Sequence, residues 1–250
     1  MEEQPYIIKG SLGNLRGIIH KPTISSKSNG IVILIHGYFT STKLGPENLY
    51  VQLARIFASY GYEFWRFDSH GVGDSDGEFH ESTYKSRIID YRIITELALK
   101  QHDNILILGH SAGTSIAIYL SNTYPQNIKT LFLLAPTFGK FTYIDNLISK
   151  DIQKQLCEKG FAFRRTQKIT NEFIDEIVSE KNYNEIIKCK AKCVLFYGLK
   201  DEYYNLQSIN RVTQYMKNHT LIEISECGHN FLNNRIALFE HIKLAINELI

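Results

Sequence analysis

Residues 104–124 read NILILGHSAGTSIAIYLSNTY, and this stretch carries the clearest structural signal in the chain. The segment 104–108 is rich in branched aliphatic residues, which is typical of a strand buried on both faces of a parallel sheet. Further on, the apolar residues follow helical spacing, at Ile116, Ala117, Leu120 and Tyr124. Glycines at the junction allow strand and helix to come close together. We therefore predict a buried strand that turns sharply into a helix, with Ser111 on the turn.

The turn itself has the frame Gly109-His110-Ser111-Ala112-Gly113, which is typical of a nucleophilic serine. The hydroxyl of such a serine projects above the carboxyl end of the sheet. The backbone N–H of Ala112 lies at the start of the helix, where unpaired amides and the helix dipole favour a developing negative charge. We predict that this amide forms half of an oxyanion hole. Because the same frame arises by chance in a chain with 16 glycines, the rest of the sequence has to support it.

Composition places the chain among ordinary globular domains. Its 250 residues are 44% hydrophobic, enough for a sizeable core, and we expect one domain with an insertion. The 28 Lys and Arg residues nearly balance 26 Asp and Glu residues, without a long run of one charge, so no nucleic-acid partner is expected. No apolar segment approaches the ~20 residues of a membrane span, and residues 1–5 lack the pattern of a signal peptide. We therefore expect a cytoplasmic protein without a membrane partner.

The four cysteines are Cys157, Cys189, Cys193 and Cys227. They are too few for a disulfide scaffold, and the sequence shows no export signal, so we expect them to be reduced. The spacing Cys189-x-x-x-Cys193 could provide half of a metal site, but Cys193 opens an apolar run and no second ligand pair has matching spacing. We interpret both residues as core cysteines and expect no metal.

Further strands and helices alternate on both sides of the serine turn. Residues 6–9 and 15–20 flank a glycine-containing turn and predict an opening hairpin. The aliphatic run 31–35 predicts a central strand that ends at His36-Gly37-Tyr38. Since a glycine there lets the backbone turn sharply, we predict that the amide of Tyr38 supplies the second half of the oxyanion hole. An ordinary glycine loop is the alternative.

The segment 66–77, RFDSHGVGDSDG, follows another predicted strand and is dense in Gly and Asp. Spaced glycines after a strand can bind phosphates, so a nucleotide site is an alternative interpretation. No G-x-G-x-x-G or Walker pattern opens the helix that follows. We therefore interpret the loop as structural, with Arg66 and Asp68 hydrogen-bonded to its backbone.

The alternation of strands and helices breaks after the strand that follows the serine helix. The segment 137–190 contains two predicted helices, 144–159 and 172–180, and we interpret it as a cap subdomain inserted into a core of residues 1–136 and 191–250. A cap above the carboxyl ends of the strands would wall the substrate pocket. Candidates for that wall are the aromatic residues Phe138, Phe141 and Tyr143. A long crossover far from the site is the alternative.

Two later strands end in residues that complete a catalytic pattern. The apolar run 193–197 is followed by Gly-Leu-Lys-Asp201, and the next predicted strand, 220–225, is followed by a segment that contains His229. Serine, then acid, then histidine, each just beyond a strand, is the chain order of the α/β-hydrolase triad. In that arrangement Ser111 attacks a carbonyl, His229 accepts and returns its proton, and Asp201 orients the imidazole.

The sequence resembles the α/β-hydrolases, and more closely the branch that includes serine-aminopeptidase-like hydrolases and bacterial cinnamoyl (feruloyl) esterases. The resemblance covers nearly the whole chain and rests on six motifs: HGY at 36–38, RFDSHGVGDSDGEF at 66–79, GHSAG at 109–113, LLAP at 133–136, GLKD at 198–201 and GH at 228–229. The second of these is the most specific. The resemblance implies an α/β structure of the α/β-hydrolase type, with a mostly parallel eight-stranded sheet, helices on both faces and a small inserted cap.

The resemblance also implies a cofactor-free serine hydrolase that cleaves a carboxylic ester through an acyl-enzyme intermediate. A hydroxycinnamoyl or other small acyl ester is the preferred substrate, so the expected partner is a small-molecule ester or thioester. Three alternatives stay open, because the motifs do not define the leaving group: an acyl thioesterase, an aminopeptidase for small residues, and a binding-only protein with this fold. A homodimer is also left open.

Overall fold

One large sheet forms the centre of the protein. The computed structural model describes residues 2–22, 28–39, 42–138, 148–178 and 183–249. Its strands, in chain order, are Glu2–Lys9 (β1), Asn14–Lys21 (β2), Ile31–Ile35 (β3), Glu63–Phe67 (β4), Ile105–His110 (β5), Ile128–Leu134 (β6), Phe161–Arg164 (β7), Gln167–Thr170 (β8), Lys192–Gly198 (β9) and His219–Ile224 (β10). Eight of them form a single sheet in the order β1-β2-β4-β3-β5-β6-β9-β10. Strand β2 is antiparallel to β1 and β4, and the other neighbours are parallel. This confirms the predicted mostly parallel eight-stranded sheet.

Helices connect the parallel strands. In chain order, those of the described segments are Leu49–Ser59 (α1), Tyr84–Leu99 (α2), Gly113–Thr123 (α3), Lys150–Lys159 (α4), Asn171–Val178 (α5), Tyr183–Lys188 (α6), Leu206–Thr213 (α7) and Arg235–Asn247 (α8). Side chains of Thr83, Ser149 and Asn205 cap α2, α4 and α7 by accepting hydrogen bonds from amides of the first turn. None of these helices combines the length and the apolar composition that crossing a membrane requires.

The central strands are buried on both faces because helices cover the sheet from both sides. In β3, Ile31, Ile33 and Ile35 point into a core shared with α2, α3 and α7. The alternate residues Val32 and Leu34 point into a second core shared with α1 and α8. A side chain on either face of β3 therefore has to be apolar, which explains the continuous aliphatic run in the sequence.

Several elements of the predicted cap segment differ from the sequence prediction. Helix α4 begins at Lys150, because Ser149 caps its first turn; of the residues before it, 144–147 lie outside the described residues. The hairpin of β7 and β8 was not expected, nor was the six-residue helix α6.

The described part of the cap segment packs over loops that leave the carboxyl ends of β3 and β4. Phe39 follows β3, whereas Val72 and Phe79 lie in the long loop after β4. These three side chains form one buried cluster with residues of the segment 148–178: Ile148, Leu156, Ala162, Ile169, Phe173 and Ile174. The subdomain boundaries at 136 and 191 stay a prediction, but this packing places 148–178 on the side of the sheet where the serine turn lies.

Candidate active site

Ser111 lies on a strained turn between β5 and α3. Its φ angle is 55°, in the left-handed region that side chains other than glycine rarely adopt. Both flanking glycines are required by close packing. A Cβ atom on Gly113 would lie 2.1 Å from the carbonyl oxygen of Ile35, and one on Gly109 would lie 2.8 Å from the carbonyl oxygen of Gly113. The sequence frame is therefore explained by the approach of α3 to β3 and β5.

The structure brings the three predicted catalytic residues into one chain of hydrogen bonds. The Ser111 Oγ is 2.8 Å from Nε2 of His229, and Nδ1 of His229 is 2.7 Å from Oδ2 of Asp201. The Asp201 carboxylate faces Nδ1, so the tautomer that satisfies both contacts has its proton on Nδ1 and a free electron pair on Nε2 facing the serine hydroxyl. This is the arrangement in which a serine can lose its proton to histidine.

Asp201 is held in place as a carboxylate. Its side chain is almost fully buried, and its second oxygen, Oδ1, accepts hydrogen bonds from the backbone N–H groups of Tyr203 at 2.9 Å and Tyr204 at 3.1 Å. Burial by itself would raise the pKa of Asp201, but the charge and hydrogen bond of His229 and these two amides outweigh it, so the pKa is lowered. The residue is thus an ionised hydrogen-bond acceptor for the imidazole.

Glu202 fixes the backbone of the histidine loop. Its Oε2 accepts the N–H of His229 at 3.0 Å. A Cβ atom on Gly228 would lie 2.7 Å from the same oxygen, so the preceding glycine is needed for the carboxylate to approach. The sequence did not reveal this role. The only signal was the position of Glu202 directly after the acid of the triad.

His110, inside the serine frame, makes a second contact to the histidine loop. Its Nε2 is 3.1 Å from the carbonyl oxygen of His229, and its Nδ1 is 2.7 Å from the hydroxyl of Tyr50. Burial lowers the pKa of His110 to about 3, with a further contribution from His229. A neutral ring that donates from Nε2 and accepts at Nδ1 satisfies both contacts. The sequence contains no signal for these contacts, because the partners of His110 lie in α1 and in the loop before α8.

The two amides predicted for the oxyanion hole follow different strands. Ala112 lies at the amino end of α3, and Tyr38 follows the turn after β3. Among the described residues, neither amide N–H donates to a protein acceptor. The fully buried Arg87 supports the loop that carries Tyr38. Its guanidinium donates to the carbonyl oxygen of His36 and lies 4.6 Å from the centre of the Tyr38 ring. Their role as an oxyanion hole stays a prediction.

The β7–β8 hairpin contacts the loop that carries Tyr38. Gln167 donates from Nε2 to the carbonyl oxygen of Phe39 at 2.6 Å, and the guanidinium of Arg164 lies 4.3 Å from the centre of the Phe39 ring. Phe39 has a φ angle of 63°, so its backbone adopts a conformation that depends on such external contacts. Phe173 of α5 adds an edge contact to the Tyr38 ring, with centroids 5.4 Å apart.

The predicted pocket wall is only partly described. Phe138 has no exposed surface and packs in the core cluster beneath the sheet, together with Ile116 and Leu120 of α3. A substrate therefore cannot reach it without disruption of that core, and we no longer treat it as a pocket residue. Phe141 and Tyr143 lie outside the described residues. An aromatic side chain that does border the triad is Tyr203, whose ring lies 4.9 Å from that of His229.

The glycine-rich loop after β4 is tied together by Asp68. Its Oδ2 accepts the N–H of Asp74 at 3.1 Å and the ammonium of Lys43 at 2.7 Å. A Cβ on Gly73 would lie 2.2 Å from that oxygen, so the glycine makes room for the carboxylate. The prediction for Arg66 was wrong, because its described bonds go to His20 and to the carbonyl of Lys43, outside the loop.

The sheet and the chain of hydrogen bonds through Ser111, His229 and Asp201 are those of the α/β-hydrolase fold. Residues 26–159, more than half of the chain, match the model of the family described as serine aminopeptidase, S33. The chain belongs to this family, which confirms the resemblance seen in its motifs.

Curated relatives include esterases and thioesterases. The chain is 24% identical over 163 residues to putative esterase/lipase 2 of Mycoplasma genitalium, which covers 64% of this chain and 54% of that protein. It is 27% identical over 193 residues to the mitochondrial palmitoyl-protein thioesterase ABHD10 of Bos taurus, which covers 72% of this chain and 59% of that protein. The matches thus span between a half and two thirds of the length of these two relatives.

Solved structures show the same fold along nearly the full chain. Est1E from Butyrivibrio proteoclasticus, solved with bound ferulic acid, superposes with a TM-score of 0.82 at 19% identity and covers 97% of this chain and 98% of its own. Mouse α/β-hydrolase domain-containing protein 10 gives a TM-score of 0.76 at 21% identity, with 99% of this chain and 100% of its own covered. These likenesses confirm the predicted α/β-hydrolase fold.

Proposed function

We propose that the protein hydrolyses a carboxylic ester of a small molecule through an acyl-enzyme formed on Ser111. The observation that carries this proposal is the continuous chain of hydrogen bonds from Ser111 through His229 to Asp201. A serine hydroxyl has a high pKa and is a weak nucleophile by itself. It becomes reactive when an adjacent base can accept its proton as the bond to the carbonyl carbon forms.

Each residue has one task in the two half-reactions. In the first, Ser111 Oγ attacks the ester carbonyl while Nε2 of His229 takes its proton, and the imidazolium then protonates the departing alcohol. In the second, His229 activates a water that attacks the acyl-enzyme, and Ser111 leaves with the returned proton. Asp201 stabilises the imidazolium that forms in both, since it remains a carboxylate throughout. The amides of Tyr38 and Ala112 would donate to the oxyanion of each tetrahedral intermediate.

The surroundings of the triad favour an apolar acyl or leaving group. Tyr203 presents its ring beside His229, and the ring of Tyr38, which follows β3, packs against Phe39 and Phe173 in the cluster under the cap segment. Apolar walls with a few directed polar groups are typical of small-molecule sites. The match to a solved esterase that contains ferulic acid is consistent with this, and a hydroxycinnamoyl ester remains our preferred substrate class.

A thioester is the second candidate. The alignment with a palmitoyl-protein thioesterase covers more of this chain than the alignment with the putative esterase/lipase, at 72% against 64%. The same acyl-enzyme chemistry serves both substrates, because a thiolate leaves more readily than an alkoxide and needs less protonation by His229.

The proposal is tested by comparing Ser111→Ala with Ser115→Ala on a short p-nitrophenyl ester. Ser115 lies four residues further along α3 and is also poorly accessible, so it controls for loss of a serine hydroxyl in the same helix. We expect Ser111→Ala to lose nearly all turnover and Ser115→Ala to keep it. Turnover retained by Ser111→Ala would contradict the proposal.

The leaving group is tested with a panel of wild-type substrates: hydroxycinnamate methyl esters, acyl-CoA thioesters and aminoacyl anilides. We expect the esters to have the highest kcat/KM. Turnover of thioesters alone would establish the second candidate in place of the first, and turnover of anilides alone would indicate a peptidase.

A further inference from the structure

Two buried cysteines lie where the predicted cap segment rejoins the sheet. Cys189 directly follows α6, and Cys193 is the second residue of β9. Their side chains face each other, with the two Sγ atoms 3.7 Å apart. Both are free thiols with almost no exposed surface. They are far from the triad, because β9 separates Cys193 from Asp201 by about 20 Å of strand.

The environment of this thiol pair is polar on the side of Cys189. The hydroxyl of Ser121 lies 3.5 Å from its Sγ, and the Sγ of Cys193 lies 3.5 Å from the carbonyl oxygen of Ala191, so the single thiol proton of Cys193 can face either that oxygen or the sulfur of Cys189. The hydrogen bond from Cys193 lowers the pKa of Cys189, and the contact to Ser121 acts in the same direction. Cys189 is therefore favoured as the thiolate and Cys193 as the thiol. Oxidation of a thiol pair begins from this combination, because the thiolate is the nucleophile.

A cavity lies next to the pair. Its volume is about 410 Å³, and Ser121 and Ala191, which contact the two sulfurs, form part of its wall. Four lysines also line it: Lys129, Lys188, Lys190 and Lys192. Neither sulfur is itself part of this wall, so the wall has to open locally at Ser121 or Ala191 before a hydroperoxide reaches Cys189.

A metal site does not account for the pair. Within the described segments, no third His, Cys, Asp or Glu joins the two cysteines in a group suited to holding a metal ion. A small apolar side chain at each position would be enough to fill this part of the core. Core packing therefore does not require the two sulfurs to face each other. The sulfur separation is the feature that needs an explanation.

We infer that Cys189 and Cys193 are a redox-active pair that a hydroperoxide converts to a reversible intramolecular disulfide. The Cys189 thiolate attacks one peroxide oxygen, the O–O bond breaks, and an alcohol or water leaves after protonation, so that Cys189 becomes a sulfenic acid. The Cys193 sulfur then attacks the Cys189 sulfur and water leaves with the Cys193 proton. Two electrons pass from the two sulfurs to the peroxide, and a dithiol reductant reverses the change.

The disulfide would link the end of the cap segment to the sheet. Bond formation brings the sulfurs from 3.7 Å to about 2.05 Å, which the short connection through residues 190–192 can accommodate by local rotation. Helix α6 is already bonded to α3, since Asn122 donates to the carbonyl oxygen of Glu185 at 2.8 Å. Oxidation would therefore add a covalent tie at a junction whose other contacts are hydrogen bonds and apolar packing.

Peptide mapping tests this inference directly. Trypsin cleaves after Lys188, Lys190 and Lys192, so Cys189 and Cys193 fall into two separate peptides, 189–190 and 193–200. The folded full-length protein is treated with a small molar excess of hydrogen peroxide, alkylated and digested. We expect a disulfide-linked species of these two peptides that disappears on treatment with dithiothreitol, together with the loss of two of the four titratable thiols.

Single variants provide the controls. Cys189→Ser and Cys193→Ser should each abolish the linked species, whereas Cys227→Ser, which removes another buried cysteine, should retain it. Cys157→Ser removes the exposed thiol and with it disulfides between molecules. If peroxide modifies Cys157 alone in the folded protein, or if the linked peptides form only in urea, the inference is wrong. Neither outcome depends on which substrate the enzyme hydrolyses.

Discussion

At the scale of single residues, the site consists of a catalytic chain and a set of contacts that hold its histidine in place. Asp201 contacts the imidazole, Glu202 contacts the backbone N–H of His229, and His110 contacts its carbonyl oxygen. The loop after β10 is thus fixed from three directions at one residue. His229 therefore has little freedom to move away from Ser111. Proton transfer over a single hydrogen bond requires such a fixed position.

Replacement of the acid should leave the fold intact and remove most of the activity. In Asp201→Asn, an amide faces Nδ1 and favours the tautomer with its proton on Nε2, which cannot accept the proton of Ser111. We expect kcat on a p-nitrophenyl ester to fall by ~10³-fold or more. Asp151→Asn, on the exposed first turn of α4, is the matched control. A loss below tenfold would show that Asp201 is not the acid of the triad.

Glu202 should act through the position of His229. Glu202→Ala leaves the backbone N–H of His229 without its acceptor, and a small displacement of the ring should lower kcat by ~10- to 100-fold. Glu202→Gln keeps an oxygen that can accept this N–H, so we expect it to restore most of kcat. An equal loss in both variants would mean that the charge of Glu202, and not its hydrogen bond, is what matters.

The three residues that form the hydrogen-bonded chain were predictable from sequence, and the contacts that support them were not. Ser111, Asp201 and His229 each follow a strand, and the carboxyl ends of parallel strands meet at one edge, so chain order was sufficient to bring them together. Glu202 and His110 act through contacts between loops. Such contacts depend on the exact paths of two segments distant in sequence, which no local pattern encodes.

At the scale of elements, the hairpin of β7 and β8 connects the predicted cap to the catalytic face. Its Gln167 bonds to the carbonyl oxygen of Phe39, one residue after the predicted oxyanion donor Tyr38. A segment predicted to wall the substrate pocket therefore also contacts the loop that carries a predicted oxyanion donor.

Loss of the Gln167 contact should impair catalysis more than substrate binding. In Gln167→Ala, the strained backbone at Phe39 loses its partner and the amide of Tyr38 becomes less well oriented. We expect a fall in kcat of ~10-fold or more with a smaller change in KM, measured on a short ester. Gln155→Ala is the control, since Gln155 bonds to Asp151 within α4 on the exposed surface. Unchanged kcat in Gln167→Ala would exclude this role.

The sheet elements were predictable and parts of the cap were not, for physical reasons. A strand such as β3 is buried on both faces and has to be aliphatic along its whole length, which leaves a plain signal. The strands of the hairpin are four residues long and mix charged with apolar side chains, so their pattern resembles a loop. Phe138 is an aromatic residue near the start of the predicted cap segment and was therefore a candidate for the pocket wall, but its side chain is fully buried in the core cluster that contains Ile116 and Leu120.

At the scale of the whole molecule, the two cores on either side of the sheet enclose polar groups as well as apolar ones. His36 and His110 have no exposed surface, and burial lowers the pKa of both, with Arg87 also acting on His36 and His229 on His110. The mostly parallel sheet of eight strands with helices on both faces was implied by the family resemblance of the motifs. The neutral histidines beneath the site were not, because their burial follows from the packing of both layers.

These histidines should make the fold sensitive to mild acid. Their folded-state pKa values lie below the unfolded value of about 6.5, so the unfolded chain binds more protons below that pH and the free energy of unfolding falls as pH decreases. The slope of this decrease approaches its limit of about 1.4 kcal/mol per pH unit only where a histidine is protonated in the unfolded chain and neutral in the folded one. We expect His110→Gln to show a smaller decrease in urea unfolding between pH 7.5 and 5.5 than the wild type. His241→Gln, at a partly exposed position of α8, should keep the wild-type decrease; an equal decrease in both variants would contradict the assignment.

The central claim is that Ser111 is the nucleophile of a working triad, and a fluorophosphonate probe tests it most directly. The probe forms a covalent bond only with a serine activated by an adjacent base. After digestion, the tryptic peptide 101–129 contains Ser111, Ser115 and Ser121, and fragmentation separates them. We predict complete labelling at Ser111 in the wild type, and none at this peptide in Ser111→Ala or Asp201→Asn over the same time. A folded wild-type protein that stays unlabelled, or that carries the label on another serine, would contradict the claim.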